Sequence, residues 1–340
     1  MGINIILSLT AAAVAFAVTA LSGKFLIPFL RKVKFGQTIL DIGPTWHKAK
    51  QGTPTMGGFM FIAGTSVAVL FCVLIYAVAW PSAFVGELPI SSYRLWGGLA
   101  LAFVCGFIGF LDDYLKVVKK INKGLSAPQK FFMQLLAAAA YAVGLYLCGD
   151  TTLNIPFVGS YDIGAYYIPL VIFLVAGFNN AVNLTDGIDG LCSSVTFLVA
   201  LTFMLLSGMP TLMPNTGMSI FSAAVAGGCL GFLIWNFFPA KVFMGDTGSL
   251  FLGGAVCALA FGLGQPLLLL PAGIIYIIET ASVILQVLYF KITKGKRLFK
   301  MSPYHHHLEM KGFSEIKVVF TLTAVTLLGC IFAFLAGYFG

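Results

Sequence analysis

The chain has 340 residues, of which 59% are hydrophobic and 9% charged, and it carries a net charge of +8. Soluble domains hold about 25% charged residues, so this composition excludes a soluble enzyme, a disordered chain and a disulfide scaffold. The positive balance does not indicate nucleic acid, because the basic residues fall in short stretches between apolar runs, where membrane topology accounts for them.

Runs long enough to cross a bilayer, about 20 residues each, begin near residues 3, 56, 94, 129, 167, 190, 217, 249, 267 and 316. The expected architecture is an all-α polytopic integral membrane protein with ten transmembrane helices, forming one domain over residues 1–340. The seven cysteines lie mostly inside the runs without CxxC spacing, and read as small hydrophobes. In the first run the earliest basic residue, Lys24, follows the apolar stretch. That order predicts a retained span with its N-terminus outside rather than a cleaved signal.

Before the second run lies Lys48-Ala49-Lys50-Gln51-Gly52-Thr53-Pro54-Thr55-Met56-Gly57-Gly58, cations followed by a glycine-rich turn that matches neither a P-loop nor GxGxxG. The third run ends in Phe110-Leu111-Asp112-Asp113-Tyr114-Leu115-Lys116. Two carboxylates at a helix C-terminus oppose the macrodipole and each other, so a cation is expected beside them. The ordinary alternative is an Asp112–Lys116 pair at i,i+4. Residues 151–166 alternate around Gly159-Ser160 and predict a small extracytoplasmic β-hairpin.

After the fifth run, Asn180, Asn183, Asp186 and Asp189 recur at every third position, with Gly187 and Gly190 permitting a tight turn. Ahead of the eighth, Phe243-Met244-Gly245-Asp246-Thr247-Gly248-Ser249 reads either as a helix N-cap at Asp246 or as a seat for phosphate and metal. Within the ninth run, Glu279 and Gln286 are seven residues apart on nearly one helix face. A buried structural role and a functional one are both open for Glu279. The stretch before the tenth run, Ser302-Pro303-Tyr304-His305-His306-His307-Leu308-Glu309, holds three of the four histidines. Consecutive helical residues point about 100° apart, so they do not form a simple tris-histidine zinc site.

With the N-terminus outside, the cytoplasmic loops are 24–55, 112–130, 178–190, 238–249 and 291–317, and Arg94 is the single one of the 20 basic residues on the other side. Both termini are then extracytoplasmic, and the carboxylates, lysines and histidines converge on a cytoplasmic cleft. Hard oxygen ligands beside basic groups suit Mg²⁺ and phosphoryl transfer.

The segments GTPTMGG (52–58), LDDYLK (111–116), NAVNLTDGIDGL (180–191), FMGDTGSL (243–250) and PYHHHLE (303–309) together resemble the polyprenyl-phosphate N-acetylhexosamine-1-phosphate transferase superfamily. The resemblance covers the whole chain, and is greatest to the branch serving bacterial peptidoglycan synthesis. It implies ten transmembrane helices, a homodimer in the inner (plasma) membrane and an active site on the cytoplasmic side. The implied reaction moves phospho-MurNAc-pentapeptide from UDP-MurNAc-pentapeptide to undecaprenyl phosphate with Mg²⁺, giving lipid I and UMP. A sister UDP-GlcNAc transferase and a cation-coupled transporter are the alternatives.

Carried over by motif, Asp246 is the implied Mg²⁺ ligand, with Asp112, Asp113 and His305 as catalytic partners. Asn183, His305 and His306 are implied to line the diphosphate, while Lys50, Asp189 and Phe243 form a uridine pocket. Lys116, Lys120 and Lys130 would attract the lipid phosphate or the diphosphate, and Thr55, Asn180, Asp186, Gly187, Gln286 and His307 complete the substrate-binding set. A phosphate monoester is largely dianionic near pH 7, so direct attack by the lipid phosphate is expected over a covalent enzyme intermediate.

Overall fold

In a computed structural model of the protein, residues 2–33, 50–81, 89–117, 124–209 and 215–340 are described. Among them the apolar runs become helices α1 (Gly2–Lys32), α2 (Gly58–Ala79), α3 (Pro89–Val117), α4 (Ala127–Leu147), α5 (Tyr167–Thr185), α6 (Leu191–Ser207), α7 (Thr216–Asn236), α8 (Gly245–Gly262), α9 (Ile274–Ile292) and α10 (Glu315–Phe339). Nine of these described helices are long and apolar enough to cross a membrane, and α6 is shorter, at 17 residues. The chain is a multi-pass membrane protein.

Polar residues fix where the helices begin. Ser126 and Gln129 form a capping box at α4, Asn215 accepts the Met218 N–H at α7, and Ser314 accepts the Lys317 N–H at α10. Two boundaries differ from expectation. Helix α1 continues past Lys24 to end on Arg31 and Lys32, cations that suit the negative end of a helix dipole. The run expected from residue 267 is broken, with a 3₁₀ turn at Pro266–Leu268, a single turn at Leu269–Ala272, and α9 beginning at Ile274. Pro266 and Pro271 each lack a backbone donor, so no continuous helix runs through both.

Helix α8 lies at the centre, against α3, α5 and α2, and every residue from Thr247 to Gly262 is buried. Its small residues let the neighbouring backbones approach closely, as membrane helix packing favours. Around it, α1 packs on α7 and α2, and α10 on α6. The outward faces carry Phe25, Phe29, Leu147 and Ile292, as lipid contact requires. All seven cysteines are free, and six are buried.

The two ends of the bundle differ. At one, β1 (Thr152–Ile155) and β2 (Gly159–Asp162) pair antiparallel, with Thr152 opposite Asp162. There Arg94 donates to both oxygens of Asp150, at 2.7 and 2.9 Å, and Asn154 donates to the Gly264 carbonyl at 2.8 Å. The opposite end gathers the C-termini of α3, α5, α7 and α9 with the N-termini of α2, α4, α6, α8 and α10. All the acidic motifs are at that end.

Candidate active site

The site is built where the C-terminus of α3 meets the N-terminus of α8. Asp112 and Asp113 stand at the unfavourable pole of their own helix, and each finds compensation from a different element. Asp113 turns toward α8, accepting the N–H of Asp246 at 3.2 Å, the N–H of Thr247 at 2.9 Å and the Thr247 hydroxyl at 2.7 Å. It is therefore the N-terminal cap of α8, supplied from outside that helix. Asp112 instead accepts the Leu125 N–H at 2.7 Å and pairs with Lys116 at 2.5 Å. The expected i,i+4 pair thus exists, and it is one edge of a larger cluster.

Asp246, in the first turn of α8, is the hub. Its Oδ2 receives Lys116 at 3.0 Å and Lys130 at 2.9 Å, and its Oδ1 receives the Asn183 amide at 2.9 Å. The same amide donates to Ser249 Oγ at 2.7 Å. Residues from three helices, α3, α4 and α5, converge on this one carboxylate of α8. Gly245 makes this possible: at φ +71° it turns the chain into α8, where a Cβ would lie 2.5 Å from Asp113 Oδ2 and 2.8 Å from Thr55 Oγ1.

Two of the sequence motifs meet through their backbones. Phe243 N–H donates to the Pro54 carbonyl at 2.8 Å, and the Gly57 and Gly58 N–H groups donate to Phe243 and Met244 at 2.8 and 3.0 Å. This pairing sets Thr55 and Phe243 beside the start of α8. At the turn after α5, burial and then the charges of Asp246, Asp113 and Asp189 hold the Asp186 carboxyl well above the usual range. Asp189 accepts Lys50 at 2.7 Å and the Ala240 N–H at 2.9 Å.

The histidines divide by role. His305 is fully buried, and Glu279 accepts its backbone N–H at 3.2 Å and faces its Nδ1 at 3.1 Å. Its Nε2 has no hydrogen-bond partner among the described residues and lies against Gly187, where a Cβ would be only 2.1 Å away. His306 Nδ1 faces Glu309 at 2.7 Å. His307 accepts the Lys300 N–H at its Nδ1, 3.1 Å away, and its ring meets Phe299 edge-on; burial, Lys311 and Lys300 lower its pKa.

Other expected residues stand apart from the hub. Gln286 holds the loop after α9 by accepting the Leu298 and Phe299 N–H groups, at 3.1 and 2.8 Å. Asn180 donates to Gln134 at 2.6 Å, within a buried network that continues to Asn179 and the Leu250 carbonyl. Lys120 lies outside the described residues. The sequence reading missed Glu315, which receives both Lys50 and the Asp189 N–H. Its signal was an acid directly after a serine cap at the mouth of the last apolar run.

Comparison with known proteins now bears on this geometry. The model of glycosyl transferase family 4 matches residues 95–264, which includes most of α3, all of α4, α5 and α8, and the Asp246 hub. A phospho-N-acetylmuramoyl-pentapeptide-transferase of Listeria monocytogenes serotype 4b is 46% identical over 321 residues, 94% of each chain. A protein of the same name from Clostridium perfringens strain 13 is 46% identical over 322 residues, 94% of this chain and 96% of the relative. The chain belongs to the phospho-N-acetylmuramoyl-pentapeptide-transferase family.

Proposed function

We propose that the chain transfers phospho-MurNAc-pentapeptide from UDP-MurNAc-pentapeptide to undecaprenyl phosphate, giving UMP and lipid I. The observation that carries this reading is the convergence of Lys116 and Lys130 on Asp246, with Asn183 and Asp112 alongside. Two ammonium groups beside carboxylates, at the end of a membrane bundle, suit a site where a lipid phosphate meets a soluble diphosphate. The positive residues gathered at that end support a cytoplasmic site, ten spans and extracytoplasmic termini in one membrane domain, here the inner membrane. Family membership supports the homodimer.

The reaction needs little acid–base help. An oxygen of the lipid phosphate dianion attacks the β-phosphorus, the bond from that phosphorus to the bridging oxygen breaks, and UMP departs with the electron pair. Lys116 and Lys130 stabilise charge on the transferring group. Asp112 holds Lys116, and Asp113 holds α8 so that Asp246 keeps its place. This assignment gives the two adjacent aspartates different tasks.

The oxygens around the hub come from Asp246, Asp112 and Ser249, while Asn183 turns its amide N–H groups toward Asp246 and Ser249. No group of three or more His, Cys, Asp or Glu able to hold a metal exists among the described residues. That set fits Mg²⁺, which takes one or two carboxylates and completes its shell with water and substrate phosphate. Asp246 would hold the ion, which supplies charge neutralisation on the diphosphate.

The test is exchange of labelled UMP into UDP-MurNAc-pentapeptide by purified protein with undecaprenyl phosphate. Trading one diphosphate for another is nearly balanced in energy, so the reaction should run backwards. Mg²⁺-dependent label, lost in Asp246→Asn, is the expected result. Label in UDP-GlcNAc alone would move the chain to a sister reaction, and no exchange from folded protein would overturn the reading.

A further inference from the structure

A cavity of about 560 Å³ opens at the same end of the bundle and is lined by Lys50, Asp189, Phe238, Phe313 and Glu315 among others. Its floor is a three-way ion cluster. The Lys50 ammonium reaches Asp189 and Glu315 together, and Glu315 Oε1 also accepts the Asp189 backbone N–H at 2.7 Å. Asp189 in turn accepts the Ala240 N–H. Glu315 and Asp189 are almost wholly buried, and the Lys50 side chain is 16% exposed.

The cluster joins four parts of the chain: the segment before α2, the turn between α5 and α6, the loop before α8, and the first residue of α10. Glu315 is suited to hold it, because α10's N-terminus favours a negative charge there and Ser314 caps the same turn. A lysine carries about 2 kcal/mol of rotamer freedom, and two carboxylates at one ammonium confine it. The lone carboxylate of Asp189 would leave Lys50 free to swing away from the cavity.

We propose that Glu315 is a positioning residue for the sugar-nucleotide substrate, acting through Lys50 and the Asp186–Asp189 turn rather than by contact with the reacting atoms. The proposal rests on the transferase reading above. It separates the two substrates, because the Glu315 cluster borders the cavity with Phe238 and Phe313, whereas Lys116 and Lys130 stand at Asp246.

The experiment compares steady-state transfer by wild type, Glu315→Gln, Glu315→Asp, Lys50→Met and the double variant Lys50→Met/Glu315→Gln, with thermal midpoints measured alongside. In Glu315→Gln, KM for UDP-MurNAc-pentapeptide should rise about tenfold, while kcat and KM for undecaprenyl phosphate stay within about twofold, the loss expected when a charge-assisted hydrogen bond goes. Glu315→Asp should recover part of that loss, and the double variant should be no worse than Lys50→Met alone. Unchanged KM for the sugar nucleotide, equal rises for both substrates, or additive losses in the double variant would each overturn the proposal. If Glu315→Gln does not fold, the milder Glu315→Asp carries the same selective comparison. A wild type that transfers nothing from UDP-MurNAc-pentapeptide defeats the transferase reading itself, and is thereby distinguished from an active wild type indifferent to Glu315.

Discussion

Asp113 accepts the backbone N–H of Asp246, so the aspartate next to Asp112 anchors the helix that presents the hub carboxylate. Removing Asp113 should cost stability as well as activity. Asp113→Ala leaves the Asp246 and Thr247 N–H groups and the Thr247 hydroxyl without their acceptor, a loss of about 1–3 kcal/mol. Its thermal midpoint in detergent should fall clearly below that of wild type. Asp112→Ala gives up one backbone partner, the Leu125 N–H, so its midpoint should fall less than that of Asp113→Ala while transfer drops by about 100-fold or more. Equal midpoints for the two variants would refute the division of labour.

Gly187 is required by a side chain rather than by its own turn. A methyl group there would meet the His305 Nε2 at 2.1 Å, and His305 cannot retreat because Glu279 holds its backbone and ring. Gly187→Ala should cost about 1–3 kcal/mol, as overpacking does, and should depress transfer. The companion change Gly187→Ala/His305→Ala should regain stability without regaining activity. Thermal midpoints and exchange rates of the pair check both parts.

Lys130 donates to Asp246 at 2.9 Å and approaches Asn183 Oδ1 at 3.4 Å. Lys130→Met keeps the length of the stem and removes the charge. UMP exchange should fall by about 10- to 100-fold, since Lys116 still faces Asp246. Lys130→Arg should not restore it fully, because a planar fork cannot reproduce a point charge aimed at one oxygen. Exchange rates at saturating substrate provide the measurement.

His307 gives the fold a pH-dependent component. Its pKa is lowered by burial, Lys311 and Lys300, and its unprotonated Nδ1 accepts the Lys300 N–H. Because the folded value is depressed, the contribution is fully present above the unfolded pKa of about 6.5 and is lost as pH falls through the folded value. Wild type should therefore lose thermal midpoint faster on acidification below about pH 6.5 than His307→Asn, which accepts without titrating. Parallel slopes would show that His307 carries no such linkage.

At the far end of the bundle, Arg94 and Asp150 form a nearly buried bidentate pair. Arg94→Met leaves Asp150 uncompensated, a loss of about 3–5 kcal/mol. The variant should melt much earlier while kcat, measured below its midpoint, stays close to wild type.

The apolar runs and the five short motifs were legible because each is local: twenty apolar residues mark a span, and acids are rare enough here to stand out singly. Recurrence at every third position also marked the Asn183 face, and the residue types of 243–249 marked the helix start at Asp246. What the sequence did not disclose is which of two adjacent aspartates turns toward which helix, since Asp113's partners lie 133 and 134 positions away. Glu315 was overlooked for the same reason: its partner Lys50 is 265 residues distant. Gln286 and Asn180 shared the polar character of site residues, yet the structure engages them with loop backbone and a buried amide network.

The clamp on Lys50 has a consequence for how the molecule comes into being. Lys50 emerges early in synthesis, but one of its two carboxylates belongs to the first residue of the final helix. At about 5–20 residues per second, the ribosome leaves Lys50 with an incomplete environment for on the order of tens of seconds. A nascent chain therefore holds its transfer hub, from α3 to α8, before its Lys50 cluster is closed. On the positioning role proposed for Glu315, tight binding of the sugar nucleotide is then completed only when the last span has been inserted.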